Sequence, residues 1–588
     1  MNEEKLQTLR HSASHVLAQA VLQLYPDAKL AIGPAIEEGF YYDFDLGEKT
    51  FSELDLAKIE KKMKDIIKQS QRFEKYEVEI EKAIKYLKDK EQPYKVELAE
   101  DLKKEGEKKL SFYRLVTPDG KKKFVDLCVG PHVDSIKEIK AFKLLRLAGA
   151  YWKGSENNKM LQRIYGTAYE TAEELEAYLN LLEEAKKRDH RKLGKELGLF
   201  VFSDLVGSGM PLYTHKGAII RKEIIKFSND LQQGIGYQEV HTPNMNRAEL
   251  FKISGHYEKF KGDMLKVVSN YSDEEFFLKP MNCPQHTQIY ASQIRSYRDL
   301  PVRIADFANL YRDEKPGELS GLTRLRCFCQ DDGHAFCRPE QIKEEFKSVL
   351  EIINKALKVY GMEYHIRLSL WDPAHPEKYL GDAKIWDKSQ KLLEEILIEN
   401  KISYVKVEGE AAMYGPKMDV MTRDSLNRQW QISTIQLDFI MPERFGLKYV
   451  DVDGKEKTPV MIHRAIVGSP ERFMGILIEH YAGAFPLWLS PDQVQVISVN
   501  QDLIEPAQKF AAELSASGIR VWLDDSNESV GYKIRKGEKQ RVPYMVVFGE
   551  KEVAGNNLQI RVRGEKETVE MAKADFIAKV VKEIKEKI

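Results

Sequence analysis

A chain of 588 residues, 43% hydrophobic and 31% charged, is too long for one core and too apolar for disorder, so three or four folded domains are expected. No run of 18 apolar residues occurs, the start MNEEKLQTLRHSASH lacks the order of a secretory leader, and five cysteines make no disulfide framework; this excludes a helical membrane protein and fits a reducing, cytoplasmic setting. A formal charge of −1 excludes a uniformly basic coat, so any nucleic acid would be held by local basic surface.

In chain order, Leu56, Ile59, Met63 and Ile66 recur at three- and four-residue steps and predict an amphipathic helix. Tyr94, Phe112, Phe124 and Val125 read as short extended runs, broken by the turn Pro118-Asp119-Gly120. From Thr171 to about Lys195 acidic residues come first and basic ones last, as the helix dipole favours, and Thr171 with Glu174 makes a capping box. One connecting helix is expected there. Ile220, Ile224, Phe227 and Leu231 predict another helix, followed by an extended stretch to Pro243. Ile342, Phe346, Val349, Ile353 and Leu357 predict a long one, and the strand-like runs between them indicate a largely antiparallel sheet. After Pro491, strands at VQVISV, IRVWL, MVVF and LQIRV alternate with a helix at EPAQKFAAEL, and a last helix carries Ile577, Val580, Ile584 and Ile588 on one side. The expected class is α+β, multidomain, divided as 1–170, a linker helix 171–197, 198–489 and 490–588.

Three segments of the large unit place polar groups where a buried sheet would want apolar ones. FANLYRDEKPGELSGLTRLRCFCQDDGHAF reads as strand, long loop, strand. Strand alternation puts Arg312 and Glu314 on one face, and Gln330, Asp332 and His334 on one face of the return, with Cys327, Cys329 and Cys337 on the other parity. In RQWQISTIQLDF, Thr434, Gln436 and Asp438 oppose Ile435, Leu437 and Phe439. In VMIHRAIVGSPERF a strand delivers His463, and a Gly468-Ser469 turn opens a helix bearing Arg472, a suitable anion seat.

Pro243, Arg312 in YRDE and Arg472 in GSPERF resemble the three signature motifs of class II aminoacyl-tRNA synthetases. KPMNCPQH, QDDGHAFC, MYGPKMD and VMIHRAIVGSPERF are similar to the threonyl family of that class, over nearly the whole chain. The resemblance implies an antiparallel sheet flanked by helices, a homodimer joined through the first motif, and synthesis of an aminoacyl-adenylate from ATP and L-threonine before transfer to tRNA(Thr). Arg312 would meet the α-phosphate, Arg472 the ATP end, Glu314 the adenine and Arg324 the outer phosphates, with Mg2+ assisting. Cys283, His334 and His463 resemble the family's zinc ligands, leaving a fourth position open. Asp332 would receive the substrate hydroxyl, and Met281, Gln330, Tyr414, Lys417, Gln431, Thr434, Gln436 and Ser469 would shape the pocket. Valine has no oxygen for such a metal, whereas an apolar pocket alone would discriminate poorly against it. Cys327, Cys329 and Cys337 offer a rival metal site, but their parity makes them buried thiols.

Serine would pass a zinc filter, so a hydrolytic sieve is expected. His11 and His15, four residues apart on one helical face, and Cys128 and His132 in VDLCVGPHV resemble the editing domain shared by threonyl- and alanyl-tRNA synthetases. By type the four read as a zinc site; in the threonyl family the pocket works without metal, and His11, His15, Lys95, Asp126, Cys128 and His132 are carried over on that basis. The C-terminal α/β domain resembles the anticodon-binding module, with Asn527, Glu552 and Arg561 at base-reading positions. Lys533, Arg535, Lys536, Lys539 and Arg541 could meet phosphates or form a solvated face. The small ubiquitin-like domain that many bacterial members carry before the editing domain is expected to be absent. A non-catalytic tRNA-binding paralogue, or a deacylase acting in trans, would be expected to lose an ATP arginine or a zinc ligand; all are kept.

Overall fold

The computed structural model describes residues 3–588 and divides into two compact units, Met1–Glu183 and Glu184–Ile588. In the first, the helix Glu3–Leu24 lies on a five-stranded sheet whose inner strands are Gly39–Asp45 and Met160–Tyr169. Leu56, Ile59, Met63 and Ile66 form the buried face of the helix Glu53–Ile67, as their spacing predicts. A second, three-stranded antiparallel sheet joins Arg72–Glu79, Lys109–Val116 and Lys122–Leu127, with Pro118-Asp119-Gly120 turning between the last two.

Tyr94 is helical rather than extended. Pro93 opens the helix Pro93–Lys104 from its first turn, where a missing N–H costs nothing, and the Tyr94 ring packs on Trp152 at 5.0 Å between centroids. The Thr171–Glu174 capping box forms, with both reciprocal bonds at 3.2 Å. The connecting helix is not continuous, however. It ends at Arg188, and a second helix, His190–Glu196, starts after Asp189, whose carboxylate accepts from Arg191 N at 2.8 Å. An aspartate that caps the next helix withdraws from the previous one.

The second unit is built on an eight-stranded sheet in the order Gln238–Glu239, Val302–Tyr311, Cys327–Cys337, Val460–Ala465, Gln429–Asp438, Lys417–Arg423, Tyr364–Leu370, Tyr404–Glu408. Only the two outermost pairings are parallel. The helices His215–Gln233, Ile342–Val359 and Pro470–His480 share one large core with one face of this sheet; Ile435 and Leu437, both fully buried, belong to that face, and Thr434 and Gln436 face the other way. Cys329 and Cys337 are buried, as parity predicts, but Cys327, at the start of its strand, is only half-buried.

The C-terminal part carries a five-stranded sheet in which Val521–Asp524, Val494–Ser498 and Tyr544–Phe548 run parallel, while Asn557–Val562 and Thr568–Ala572 add antiparallel. The closing helix Lys573–Glu586 buries Phe576 and Val580; Ile588 lies beyond its end and is exposed. Among the described residues no helix is long and apolar enough to cross a membrane.

Candidate active site

The exposed-to-ligand face of the central sheet holds two adjoining cavities. One, of about 610 Å³, is lined by Arg312, Glu314, Arg324, Gln330, Lys417, Gln431, Thr434, Gln436, Ser469 and Arg472. The other, of about 280 Å³, adds Met281, Cys283, Asp332, His334, Tyr414 and His463 and shares Arg312, Gln330, Lys417, Thr434 and Gln436 with the first. The arginines, zinc-ligand candidates and pocket residues singled out in the sequence therefore border one or the other, whereas Asp438 lies behind His463 and Pro243 lines neither.

Strand register explains the smaller cavity. His334 and His463 are direct cross-strand partners, so His334 Nε2 and His463 Nδ1 lie 3.0 Å apart. Cys283 begins the helix Cys283–Ala291 beneath them, and the three donor atoms fall within 4.8 Å of one another. His463 donates its other ring nitrogen, Nε2, to Asp438 Oδ2 at 2.9 Å, which leaves the Nδ1 lone pair facing inward. His334 Nδ1 meets His286 Nδ1 at 2.7 Å, one turn along the same helix as Cys283. Burial holds His334 well below the ordinary imidazole value and the Cys283 thiol well above its own. Two imidazoles and a thiol that a divalent cation would deprotonate, open on the cavity side, fit a zinc ion with a free position. Asp332, pushed up to about 6 by burial, borders the open side.

The larger cavity is walled by cations. Arg312 and Glu314 lie just past the end of the strand Val302–Tyr311, not on it, and still face the same cavity because the chain there turns back toward Arg326, whose carbonyl accepts from Arg312 N at 2.9 Å. Ser469 caps the helix Pro470–His480 by accepting from Arg472 N at 3.3 Å, and the Arg472 guanidinium sits 5.6 Å over the Trp430 ring. Arg324 is paired with Glu314 at 2.9 Å and Glu318 at 3.1 Å. Tyr414 donates to Gln436 Oε1 at 2.7 Å and stacks on His463 at 4.3 Å.

In the first unit, His11, His15, Cys128 and His132 also gather within 4.8 Å of one another. Cys128 Sγ lies 3.4 Å from His11 Nε2 and 3.3 Å from His132 Nε2. Lys95 pairs with Asp126 at 2.7 Å, while His15 Nδ1 stands 3.6 Å from that carboxylate, too far for a hydrogen bond. Burial lowers all three imidazoles and raises Cys128 to about 11. The site is thus a neutral cluster beside one buried ion pair.

In the C-terminal part, Asn527 is exposed after the strand Val521–Asp524, and Glu552 lies beyond Tyr544–Phe548, at the same end of the sheet. Glu552 is buried, and its Oε2 accepts from Gly549 N at 3.0 Å. Arg561 pairs with Met545, three residues from that end, or about 10 Å at strand spacing. Lys533 turns inward: it is buried and donates to Ser498 O at 2.9 Å, so it forms no part of a phosphate-facing surface.

Family models match three stretches: the tRNA synthetase class II core domain (G, H, P, S and T) at 266–481, an anticodon binding domain at 493–583, and the threonyl and alanyl tRNA synthetase second additional domain at 114–165. The chain is 48% identical over 587 residues to the threonine–tRNA ligase of Clostridium tetani, covering 100% of this chain and 89% of that one, and 46% identical over 586 residues to that of Carboxydothermus hydrogenoformans, covering 100% and 90%. The chain belongs to the threonine–tRNA ligase family. A crystal structure of the RNA binding domain of threonyl-tRNA synthetase from Cryptosporidium parvum superposes with a TM-score of 0.64 at 37% identity, over 67% of this chain and 98% of that one.

The ligase contains residues that sequence reasoning passed over. Asp419, fully buried, is a hub: its carboxylate accepts from Gln431 Nε2 at 2.7 Å and Thr434 Oγ1 at 2.9 Å and pairs with Lys417 at 3.2 Å. Its place two residues after Lys417, on the same strand face, was the available signal. Tyr42 donates to Asp126 Oδ2 at 2.6 Å from a strand 84 residues away in sequence, and nothing local marks it. His286 stands inside the phrase KPMNCPQH, but its partner His334 is 48 residues on.

Proposed function

We propose that the ligase activates L-threonine with ATP to threonyl-adenylate in the paired cavities, transfers the acyl group to tRNA(Thr), and hydrolyses mischarged seryl-tRNA(Thr) in its first unit. The observation that carries this reading is the continuity of a Cys–His–His donor set with an arginine-lined cavity through Arg312, Gln330, Lys417, Thr434 and Gln436.

Zinc held by Cys283, His334 and His463 would supply an open coordination position that an amino alcohol can fill through nitrogen and oxygen and valine cannot. Asp332 accepts the threonine hydroxyl. Tyr414, Gln436, Met281 and Gln330 close the pocket around it, and Asp419 fixes Lys417, Gln431 and Thr434 along its rim. Attack of the threonine carboxylate on the α-phosphate builds charge on phosphate oxygens. Arg312 meets that charge and Arg472, set by the Ser469 cap, holds the nucleotide from the other wall, with Mg2+ accompanying ATP. Glu314 holds the adenine. Arg324 must leave Glu314 and Glu318 to reach the outer phosphates.

In the first unit His11, His15, Cys128 and His132 with the Lys95–Asp126 pair orient water against the seryl ester without a metal. Asn527, Glu552 and Arg561 read the anticodon; their separation of about 10 Å along the sheet suits different bases of one splayed strand. Exposed apolar groups at Val201, Phe202, Leu205 and Leu212 support a homodimer joined through the core; the few, unpaired cysteines suit work in the reducing cytoplasm.

The test is ATP–pyrophosphate exchange with threonine, serine and valine. Threonine should drive exchange, serine weakly, and valine not at all. Cys283→Ser should lose both zinc and threonine-driven exchange while preformed seryl-tRNA is still hydrolysed. Threonine-independent or valine-driven exchange overturns the assignment.

A further inference from the structure

The helix break at Asp189 brings Asp189, His190 and Glu479 together as a potential metal-binding trio, yet both ring nitrogens of His190 are already occupied by protein. Nε2 lies 2.9 Å from the backbone N of Leu322. A backbone N–H can only donate, so Nε2 accepts, and the ring proton sits on Nδ1, donated to Glu479 Oε1 at 2.6 Å. Glu479 also accepts from His190 N at 3.0 Å and from the Arg428 guanidinium. No lone pair of the imidazole remains for a cation. His190 is a clamp rather than a ligand, 4% exposed, closed by a carboxylate that is 5% exposed.

What it clamps is the wall of the nucleotide cavity. Leu322, Thr323, Arg324 and Leu325 line that cavity from the long connection between the strands ending at Tyr311 and starting at Cys327. This stretch has no ladder to hold it. Its internal support is a tight turn in which Thr323 N and Arg324 N donate to Ser320 O. The Leu322 side chain is buried in the core, Arg326 N and Cys327 N donate to Gly209 O, and the bond from Leu322 N to His190 fixes the backbone of the turn itself. The contact is close: Gly321 has φ +47, and a Cβ there would stand 2.1 Å from His190 Nε2. At the other end of the brace, Glu479 belongs to the last turn of the helix Pro470–His480, whose first turn carries Arg472. One imidazole therefore ties the loop bearing Arg324 to the helix bearing Arg472.

We propose that His190 is a positioning residue for ATP: by holding the Leu322 backbone against the Pro470–His480 helix it keeps Thr323 and Arg324 turned toward the nucleotide. This rests on the reading of the larger cavity as the ATP site. A glutamine can carry an acceptor to about the place of Nε2, whereas an asparagine reaches only as far as Nδ1 and keeps the Glu479 bond alone.

The experiment is threonine-dependent ATP–pyrophosphate exchange by the full-length wild type, His190→Asn and His190→Gln, with thermal melts and zinc content measured alongside. Loss of one positioning hydrogen bond is worth about tenfold, so His190→Asn should raise KM for ATP roughly tenfold with KM for threonine and zinc content unchanged. His190→Gln should bring KM for ATP back toward wild type. Wild type with no threonine-dependent exchange overturns the functional reading itself. An active wild type with His190→Asn showing an unaltered KM for ATP overturns the clamp alone. So does a parallel rise of both KM values with lowered melting in both variants, because that is the signature of a residue that merely stabilises the core.

Discussion

Asp438 decides which nitrogen of His463 faces the open cavity. Its carboxylate is fully buried and takes the Nε2 proton at 2.9 Å, and it is itself held by the backbone N of Ile440 at 2.7 Å and of Met441 at 2.8 Å. Such a partner fixes both ring orientation and tautomer of a ligand histidine. Asp438→Asn keeps the shape but presents an amide that can rotate to donate, which would force the proton of His463 onto Nδ1, the nitrogen the metal needs. Zinc affinity, measured by competition with a chromophoric chelator, is expected to fall about 10- to 100-fold, while the melting curve of the zinc-loaded protein changes little. Unchanged affinity would show that the orientation of His463 is set elsewhere, by the stacked Tyr414 ring or the neighbouring His334.

At the scale of elements, the turn between Tyr404–Glu408 and Lys417–Arg423 places Tyr414 and Lys417 through a close backbone approach as well as through their side-chain partners. Gly415 has no room for a side chain: a Cβ would stand 1.9 Å from Leu437 O, a backbone atom in the middle of the central sheet that cannot yield. Gly415→Ala must therefore displace the turn that carries Tyr414 and Lys417. A shift of about 1 Å in a positioning group can cost on the order of a hundredfold. KM for threonine in pyrophosphate exchange is expected to rise well over tenfold, and KM for ATP far less, since Arg472 and Arg324 stand on other elements. Equal effects on both substrates would mean that the sheet itself had moved. Such backbone constraints are poorly legible in a sequence, where Gly415 is one glycine of 36. Strand parity was legible: Gln330, Asp332 and His334 were placed together because period-two alternation is local. The break at Asp189 was not, because acidic-to-basic polarity runs smoothly through it and the competing cap shows only in the chain's geometry. Lys533 misled for a related reason, since a lysine on a basic helix reads as exposed unless a carbonyl such as that of Ser498 waits behind it.

For the molecule as a whole, the proposed function places synthesis and hydrolysis in separate compact units, and on that reading selectivity requires both. Serine differs from threonine by one methyl group, which limits rejection at a single pocket to about 1–3 kcal/mol. A variant blocked only in the first unit should therefore charge tRNA with threonine normally and accumulate seryl-tRNA(Thr). The residue to change is His11 rather than Lys95. Removing Lys95 would strand Asp126 as a buried, unpaired charge at a cost of about 3–5 kcal/mol, and the unit would fail by unfolding. His11 is half-buried and contributes one contact to Cys128 and one to Pro131 O, so His11→Ala should spare the fold. Deacylation of preformed seryl-tRNA should slow at least tenfold while threonylation kinetics stay at the wild-type level. Metal analysis of the same protein discriminates the chemistry of the first unit: one zinc per chain in wild type and in His11→Ala leaves hydrolysis to side chains, whereas two in wild type falling to one in the variant would make His11, His15, Cys128 and His132 a metal centre and overturn the metal-free reading.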